Sequence, residues 1–245
     1  MSLITYLTRI HFADRVLEDA LPEELGRLSV RRPLVLVGGA GEEEAERLLD
    51  ALPGRDDPLT FAAEGRGAAE TCLGRAADRF AAEGCDGIVG FGGARPLDLA
   101  RLLGPPGVPV VLVPTRIDSI GLGPISLDTG RRSPRPPRDP SAILCDATLT
   151  LGGEPGAVAA AGFDVLVHCL EAYLGTAYNP PADGIALEGL RRAFANLERT
   201  VAEGRDLPAR REMLAAALNA GMAAHKGFGG IEAAAKAAHA ADVVV

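Results

Sequence analysis

The stretch Ile88-Val-Gly-Phe-Gly-Gly-Ala-Arg-Pro-Leu-Asp-Leu-Ala-Arg101 begins apolar and β-branched, passes through glycines, and continues with helical spacing. Glycines at a strand-to-helix junction let backbone N–H groups approach a phosphate, and the helix N-terminus adds favourable dipole charge. The pattern is not G-x-G-x-x-G, and turns of this kind also occur without ligands. Outward from it, short apolar runs alternate with helix-like stretches. The expected strands are Pro33 to Val37, Leu59 to Ala62, Gly87 to Phe91, Pro109 to Val113 and Ala142 to Leu144. Between them, Glu42 to Leu52 and Ala68 to Ala82 carry apolar residues at three- and four-residue spacing among charges, as amphipathic helices do. This is the βαβ rhythm of a parallel sheet covered on both faces. Such sheets bind ligands at the carboxyl ends of their strands, so the loops after Val37, Phe91 and Val113 are where chemistry is expected. Thr115, just past Pro114, falls on the same edge.

The pattern then changes. Thr129 to Pro140 is too rich in Pro and Arg to lie inside an element and reads as an exposed excursion, either a solvated connector or a basic loop that meets an anion. Beyond Gly153 the strand signals stop. Helical stretches follow at Pro155 to Leu174, Pro181 to Glu203, Leu207 to His225 and Gly229 to Ala240. The expected organisation is an α/β parallel-sheet domain over residues 1–150 and an all-α domain over 151–245. No internal repeat is present, which disfavours a solenoid.

Inside the first of those helices stands Gly162-Phe-Asp-Val-Leu-Val-His-Cys-Leu-Glu171. Asp164 and His168 are four apart and His168 and Glu171 three apart, so all three share one helical face. A carboxylate and an imidazole one turn apart can grip a divalent cation. The same spacing equally fits a surface Asp/His pair or a half-buried, hydrogen-bonded histidine.

Composition narrows the partners. The chain has 245 residues, 47% hydrophobic and 24% charged, enough for one large core or two modest ones. With 25 Lys plus Arg against 33 Asp plus Glu the formal charge is -8, which argues against nucleic acid as a ligand. Cys72, Cys85, Cys145 and Cys169 are far apart, without C-x-x-C, as in a reduced compartment and unlike a cysteine zinc site. No signal-peptide pattern opens the chain and no later segment is expected to approach a bilayer span, so the expectation is a cytoplasmic protein without a membrane partner.

Taken together the segments resemble the iron-containing alcohol dehydrogenases, in the wider group with maleylacetate reductase, glycerol-1-phosphate dehydrogenase and dehydroquinate synthase. The family pattern G-G-G-S-P-x-D-x-A-K is met by Gly92-Gly-Ala-Arg-Pro-Leu-Asp-Leu-Ala-Arg101, and P-T-T by Pro114-Thr-Arg116. D-A-x-x-H-x-x-E is met by Asp164-Val-Leu-Val-His-Cys-Leu-Glu171, followed by Ala172-Tyr173 and Asn179-Pro180. The stretch Ala220 to Lys236 resembles A-G-x-A-F-x-K-G-L-G-x-x-H-A-x-x-H, and the likeness runs from about Thr8 to His239. The resemblance implies a Rossmann-like dinucleotide-binding domain followed by a helical domain, with Fe2+ or Zn2+ in the cleft between them. It implies hydride transfer between NAD or NADP and a small alcohol or carbonyl. Carried over residue by residue, the cofactor would meet Gly92, Gly93, Ala94, Arg95, Asp98 and Thr115, and the metal Asp164, His168 and Glu232.

The departures cluster at the site. Where the family uses one Asp and three His, this chain keeps Asp164 and His168 and has Glu232 at the third position. Glu232 can ligate, or pair with Lys236 four residues on; the ion pair is the favoured expectation. A fourth ligand would fall about fourteen residues after Glu232, beyond Val245. Gly38-Gly39 stands where the family often has an acid for the adenosine ribose, and Arg95 replaces the phosphate-loop Ser, either clamping phosphate or filling its place. Arg116 replaces the second Thr. By the same resemblance the chain is shorter than the family by most of the last helical bundle, and its apolar Val243 to Val245 are expected to pack against a partner, a second copy or another chain. A non-catalytic family member acting as a binding or assembly subunit is the alternative. A phosphate-substrate lyase or cyclase using Arg95, Arg116 and Lys236 is a third reading.

Overall fold

The computed structural model describes residues 8–52, 58–63, 69–117, 120–123, 125 and 137–227. The chain divides into two compact units, one over Leu7–Leu151 and one that begins at Gly152.

The first unit is built on a six-stranded sheet: β1 (Arg9–Phe12), β2 (Pro33–Gly38), β3 (Thr60–Ala62), β4 (Gly87–Gly92), β5 (Val110–Pro114) and β6 (Ala142–Cys145), in the order β1-β6-β5-β4-β2-β3. Every pairing is parallel. The expected strands are present within a residue of their bounds. Helices α1 (Leu17–Arg27), α2 (Glu42–Ala51), α3 (Ala69–Ala82) and α4 (Ala94–Leu102) connect them. A short 3₁₀ turn, Ala147–Thr150, follows β6.

Two elements went unread in the sequence. β1 alternates charged and apolar residues at the sheet edge, where one face stays wet, and its partner β6 lies far along the chain. α1 carries Pro22 inside it, which removes a backbone donor and normally ends a helix. It persists because Leu17, Leu21 and Leu25 form one apolar stripe buried against Val111, Val113, Leu144 and their neighbours. Burying each of these leucines contributes roughly 1.5–3 kcal/mol, comparable to the proline penalty of about 3 kcal/mol.

The sheet edge is held by charge. Glu24 of α1 is fully buried, and its carboxylate takes Arg9 Nε at 2.8 Å, His11 Nε2 at 2.7 Å and Arg27 Nη2 at 2.6 Å. Burial alone would raise the Glu24 carboxyl; the hydrogen bonds from Arg27, His11 and Arg9 outweigh it and hold the group at about 2. The basic excursion lies outside the described residues up to position 136. Its described member Arg138 donates from Nη1 to the carbonyls of Pro105 (3.1 Å) and Val108 (2.9 Å), so that guanidinium closes the α4–β5 connection.

The second unit contains α5 (Pro155–Leu174), α6 (Pro180–Ala202) and α7 (Leu207–Ala223), followed by a 3₁₀ turn at Ala224–Lys226. Each helix opens on a side-chain cap: Glu154 accepts from Ala157 N, Asn179 from Ala182 N and Asp206 from Ala209 N. Each also has Pro within its first two positions, where the missing donor costs nothing. The helix expected over 229–240 lies outside the described residues. Lys226 closes the bundle by donating to Asp183 of α6 and to the Tyr173 carbonyl of α5.

One expectation is corrected. α5, at 20 residues, is long and apolar enough to cross a membrane by length and composition, with a third of its apolar window buried within the protein. Two acids, Asp164 and Glu171, in twenty residues do not cancel the surrounding Ala, Val and Leu.

The cysteines are free; Cys85, Cys145 and Cys169 are buried and Cys72 is half-buried. Burial pushes the Cys145 and Cys169 thiols up to about 12.

Candidate functional site

The carboxyl edge of the sheet is where the first unit's candidate residues meet. Gly38 of β2, Gly92 of β4 and Pro114 of β5 stand in one row of the ladder. Past that row, Gly93 N–H donates to the Gly38 carbonyl at 3.1 Å, and Thr115 N–H to the Gly92 carbonyl at 2.9 Å. Gly92 has φ +133°, and a Cβ there would collide with the Gly38 carbonyl oxygen, so the junction admits only glycine. Gly93 caps α4 with extended backbone and, having no side chain, makes no side-chain cap hydrogen bond to the first-turn N–H groups. A Cβ on Gly93 would meet Arg116 Cδ at 2.9 Å, so the aliphatic stem of Arg116 lies along this glycine.

Thr115 is 6% exposed, and its Oγ1 has no hydrogen-bond partner among the described residues. A buried hydroxyl without a partner costs about 1–3 kcal/mol, so its presence at this edge points to a ligand. Gly92 and Gly93 are buried, and Ala94 and Arg95 half-buried, at the start of α4. Asp98 lies one turn further on, also buried, with Arg101 Nη1 4.0 Å from its carboxylate. The structure therefore brings Gly92, Gly93, Ala94, Arg95 and Thr115 to one edge, with Asp98 deeper in α4. Gly38 and Arg116 stand at this edge without being among the expected cofactor residues; the signal for Gly38 was the glycine pair Gly38-Gly39 ending a neighbouring strand, and for Arg116 its place directly after Pro114-Thr115. Asp146, just past the end of β6, is taken up by structure: it accepts from Arg15 N–H, Thr148 and Arg47.

The second unit carries the candidate metal donors on α5. Asp164 Oδ2 lies 3.4 Å from His168 Nδ1, with the two side chains 51% and 28% exposed. A face about a quarter-turn round the helix from the pair is turned inward, burying Val158, Ala161, Val165, Cys169 and Ala172. Glu171, half-buried, shares the face of the pair. Among the described residues no group of three or more His, Cys, Asp or Glu is placed to hold a metal ion. Glu232, the third candidate, and Lys236, its candidate partner, lie outside the described residues. Catalytic zinc and iron sites use at least three protein ligands. The described residues thus offer two donors and do not by themselves fit a tightly held metal, whereas the glycine edge with its unpartnered hydroxyl does fit a dinucleotide phosphate.

Comparison with known proteins gives the same pairing of units. Residues 158–240 match the model of the "Fe-containing alcohol dehydrogenase family, C-terminal". The 4-hydroxybutyrate dehydrogenase of Cupriavidus necator is 34% identical over 94% of this chain and 68% of its own length. The chain belongs to the Fe-containing alcohol dehydrogenase family. Another family member, the NAD-dependent methanol dehydrogenase of Bacillus methanolicus, is 28% identical over 65% of this chain and 49% of its own. Among solved structures, maleylacetate reductase from Rhizobium sp. strain MTP-10005 superposes with a TM-score of 0.78 at 27% identity, covering 94% of this chain and 66% of that one. The chain therefore spans about two thirds or less of the length of these family members. The expected order, a parallel-sheet unit followed by a helical unit, is the family's own.

Proposed function

We propose that this chain carries out NAD(P)-linked oxidoreduction of a small alcohol or its carbonyl. The observation that carries this reading is the buried Thr115 hydroxyl, without a partner among the described residues, beside Gly92 and the N-terminus of α4. Family membership and the dehydrogenase names of the relatives support it. Bound nicotinamide would supply hydride exchange with the substrate carbon. The chain's own part is positional. Gly92 and Gly93 leave room for a pyrophosphate, the first-turn N–H groups of α4 and the Thr115 hydroxyl donate to its oxygens, and Gly38-Gly39 leaves the ribose side open. Metal dependence is the finer part of the proposal, and it rests on Asp164 and His168, with Glu232 as the third donor.

A second reading, a non-catalytic family member acting as a binding or assembly subunit, is favoured by the two-donor count on α5. One titration separates them. NADH and NADPH are added to the purified chain and the enhancement of dihydronicotinamide fluorescence is followed, with iron and zinc content measured on the same sample. The enzymatic reading expects saturable binding of at least one dinucleotide and bound metal that His168→Ala removes. Absence of dinucleotide binding overturns it in favour of the second reading. Dinucleotide binding without metal, after anaerobic supply of ferrous or zinc salt, removes the metal-dependent part alone.

A further inference from the structure

Helices α5 and α6 each carry an apolar stripe open to water among the described residues. Phe163 and Leu174 of α5 are 65% and 68% exposed, with Leu170 between them at 42%; Leu187 and Phe194 of α6 are 47% and 84% exposed. The two stripes lie side by side. Gly162 is packed by the Leu197 side chain and Gly189 by the Cys169 sulfur, so α5 and α6 run antiparallel with these pairs level. On each helix the stripe stands one residue past the buried line: Phe163 and Leu170 follow Gly162 and Cys169, and Leu187 and Phe194 follow Ala186 and Ala193. Seen from one end, antiparallel neighbours wind in opposite senses, so the shared step carries both stripes to the same side of the layer. Arg192, one residue before Ala193, turns to the other side and pairs there with Glu212 of α7 at 2.6 Å.

We propose that this face is the contact between two copies of the chain, related by a two-fold axis that crosses both helices. Two observations support the assignment. The first is area: taking roughly 200 Å² for a large side chain, the exposed parts of these five residues, of Tyr173 beside them and of Tyr178 in the α5–α6 connection come to on the order of 800 Å². A stable dimer buries about that much per partner, well above the largest patch of a typical monomer. The second is symmetry. The midpoint of Phe163 and Leu174 falls between His168 and Cys169, and that of Leu187 and Phe194 falls between Leu190 and Arg191. The contact of Cys169 with Gly189 sets these two midpoints level to within about one residue. One axis through both therefore lays Phe163 on Leu174 of the second copy and Leu187 on Phe194 of the second copy, apolar against apolar, as an isologous interface requires. The Arg191–Glu188 ion pair at 2.8 Å borders the face on α6 and gives it a polar rim. A bilayer is a poor occupant, because α5 is packed by α6 and α7 and carries Asp164, His168 and Glu171 on a further face. The inference stands apart from the catalytic reading, since it uses neither the glycine edge nor the metal donors.

The test is sedimentation velocity of the purified chain from about 1 to 50 μM, with cysteine cross-linking to fix the register. A species of twice the 25.3 kDa chain mass is expected. Leu174→Glu and Phe194→Glu should each weaken it by about 100-fold or more while leaving the far-UV circular dichroism unchanged. In a Cys72→Ser background, Leu187→Cys combined with Phe194→Cys should join two chains on treatment with oxidised glutathione. The two positions are about 10 Å apart along one helix, beyond the roughly 7 Å that a disulfide spans, so the bond cannot close within a chain. Either substitution alone should leave the chains unlinked, because the axis holds like positions equally far apart. If a glutamate variant loses its circular dichroism, the cross-linking comparison decides. A chain that stays monomeric over the whole range overturns the proposal, whether or not it sediments with phosphatidylcholine vesicles. So does a dimer that both glutamate variants leave intact, or one in which a single cysteine substitution links as readily as the pair.

Discussion

Replacing Thr115 by Val should move two measurements in opposite directions. Valine keeps the β-branched shape and removes only the hydroxyl, which is buried and has no partner among the described residues. In the free protein that hydroxyl forfeits its hydration without return, a cost of about 1–3 kcal/mol. Its removal should therefore stabilise the sheet unit by about 1 kcal/mol, or roughly 2–4 °C in Tm for a unit of this size. In the dinucleotide complex the same hydroxyl donates to a phosphate oxygen, and hydrogen bonds to charged groups contribute about 1.5–3 kcal/mol. The variant should bind NADH or NADPH roughly 10- to 150-fold more weakly. Thermal unfolding followed by far-UV circular dichroism reads the first effect, and fluorescence titration the second. A Thr115→Val protein that melts lower than the parent, or binds dinucleotide with the parent's affinity, refutes the reasoning.

Two further outcomes follow from the same unit. Glu24→Gln mimics the protonated carboxyl; the group is held at about 2 against an ordinary value of 4.5, so the substitution should cost on the order of 3 kcal/mol at neutral pH. Because the folded value is depressed, that stabilisation is present above about pH 4.5 and is lost as pH falls toward 2, so the gap between parent and variant in urea unfolding should close over that window. A gap that stays constant with pH would count against the charge clamp. Gly92→Ala should abolish dinucleotide binding and destabilise the unit together, because its Cβ meets the Gly38 carbonyl, whereas the methyl group added by a Gly26→Ala control meets nothing within 4 Å; equal effects of the two on urea midpoints would show that the β4–α4 junction is not tight.

Much of the fold was legible because its signals are local. Ile88 to Arg101 shows its strand, turn and helix in fourteen consecutive residues, and α5 to α7 announce themselves through Pro near each helix start and a capping side chain before it. β1 and α1 were not legible, since one depends on pairing with a strand more than a hundred residues away and the other survives an internal proline through tertiary burial. At the site, the placement of Thr115 on the glycine edge could be inferred from strand ends alone. The tie between Gly93 and Gly38 could not, because it joins strands separated by a crossover, and neither could the isolation of the Thr115 hydroxyl, which depends on everything packed around it. For the metal, spacing disclosed that Asp164 and His168 share a face but said nothing about how many further donors reach it.

The buried thiols give the molecule internal reporters. Cys145 lies in the sheet unit and Cys169 in the helical unit, and with both thiols near 12 neither carries appreciable thiolate at neutral pH while folded. An alkylating reagent added to the native protein should reach half-buried Cys72 first. Labelling of Cys145 and of Cys169, read by peptide mass, would then time the opening of each unit separately, without engineered probes in a chain that has no tryptophan to follow.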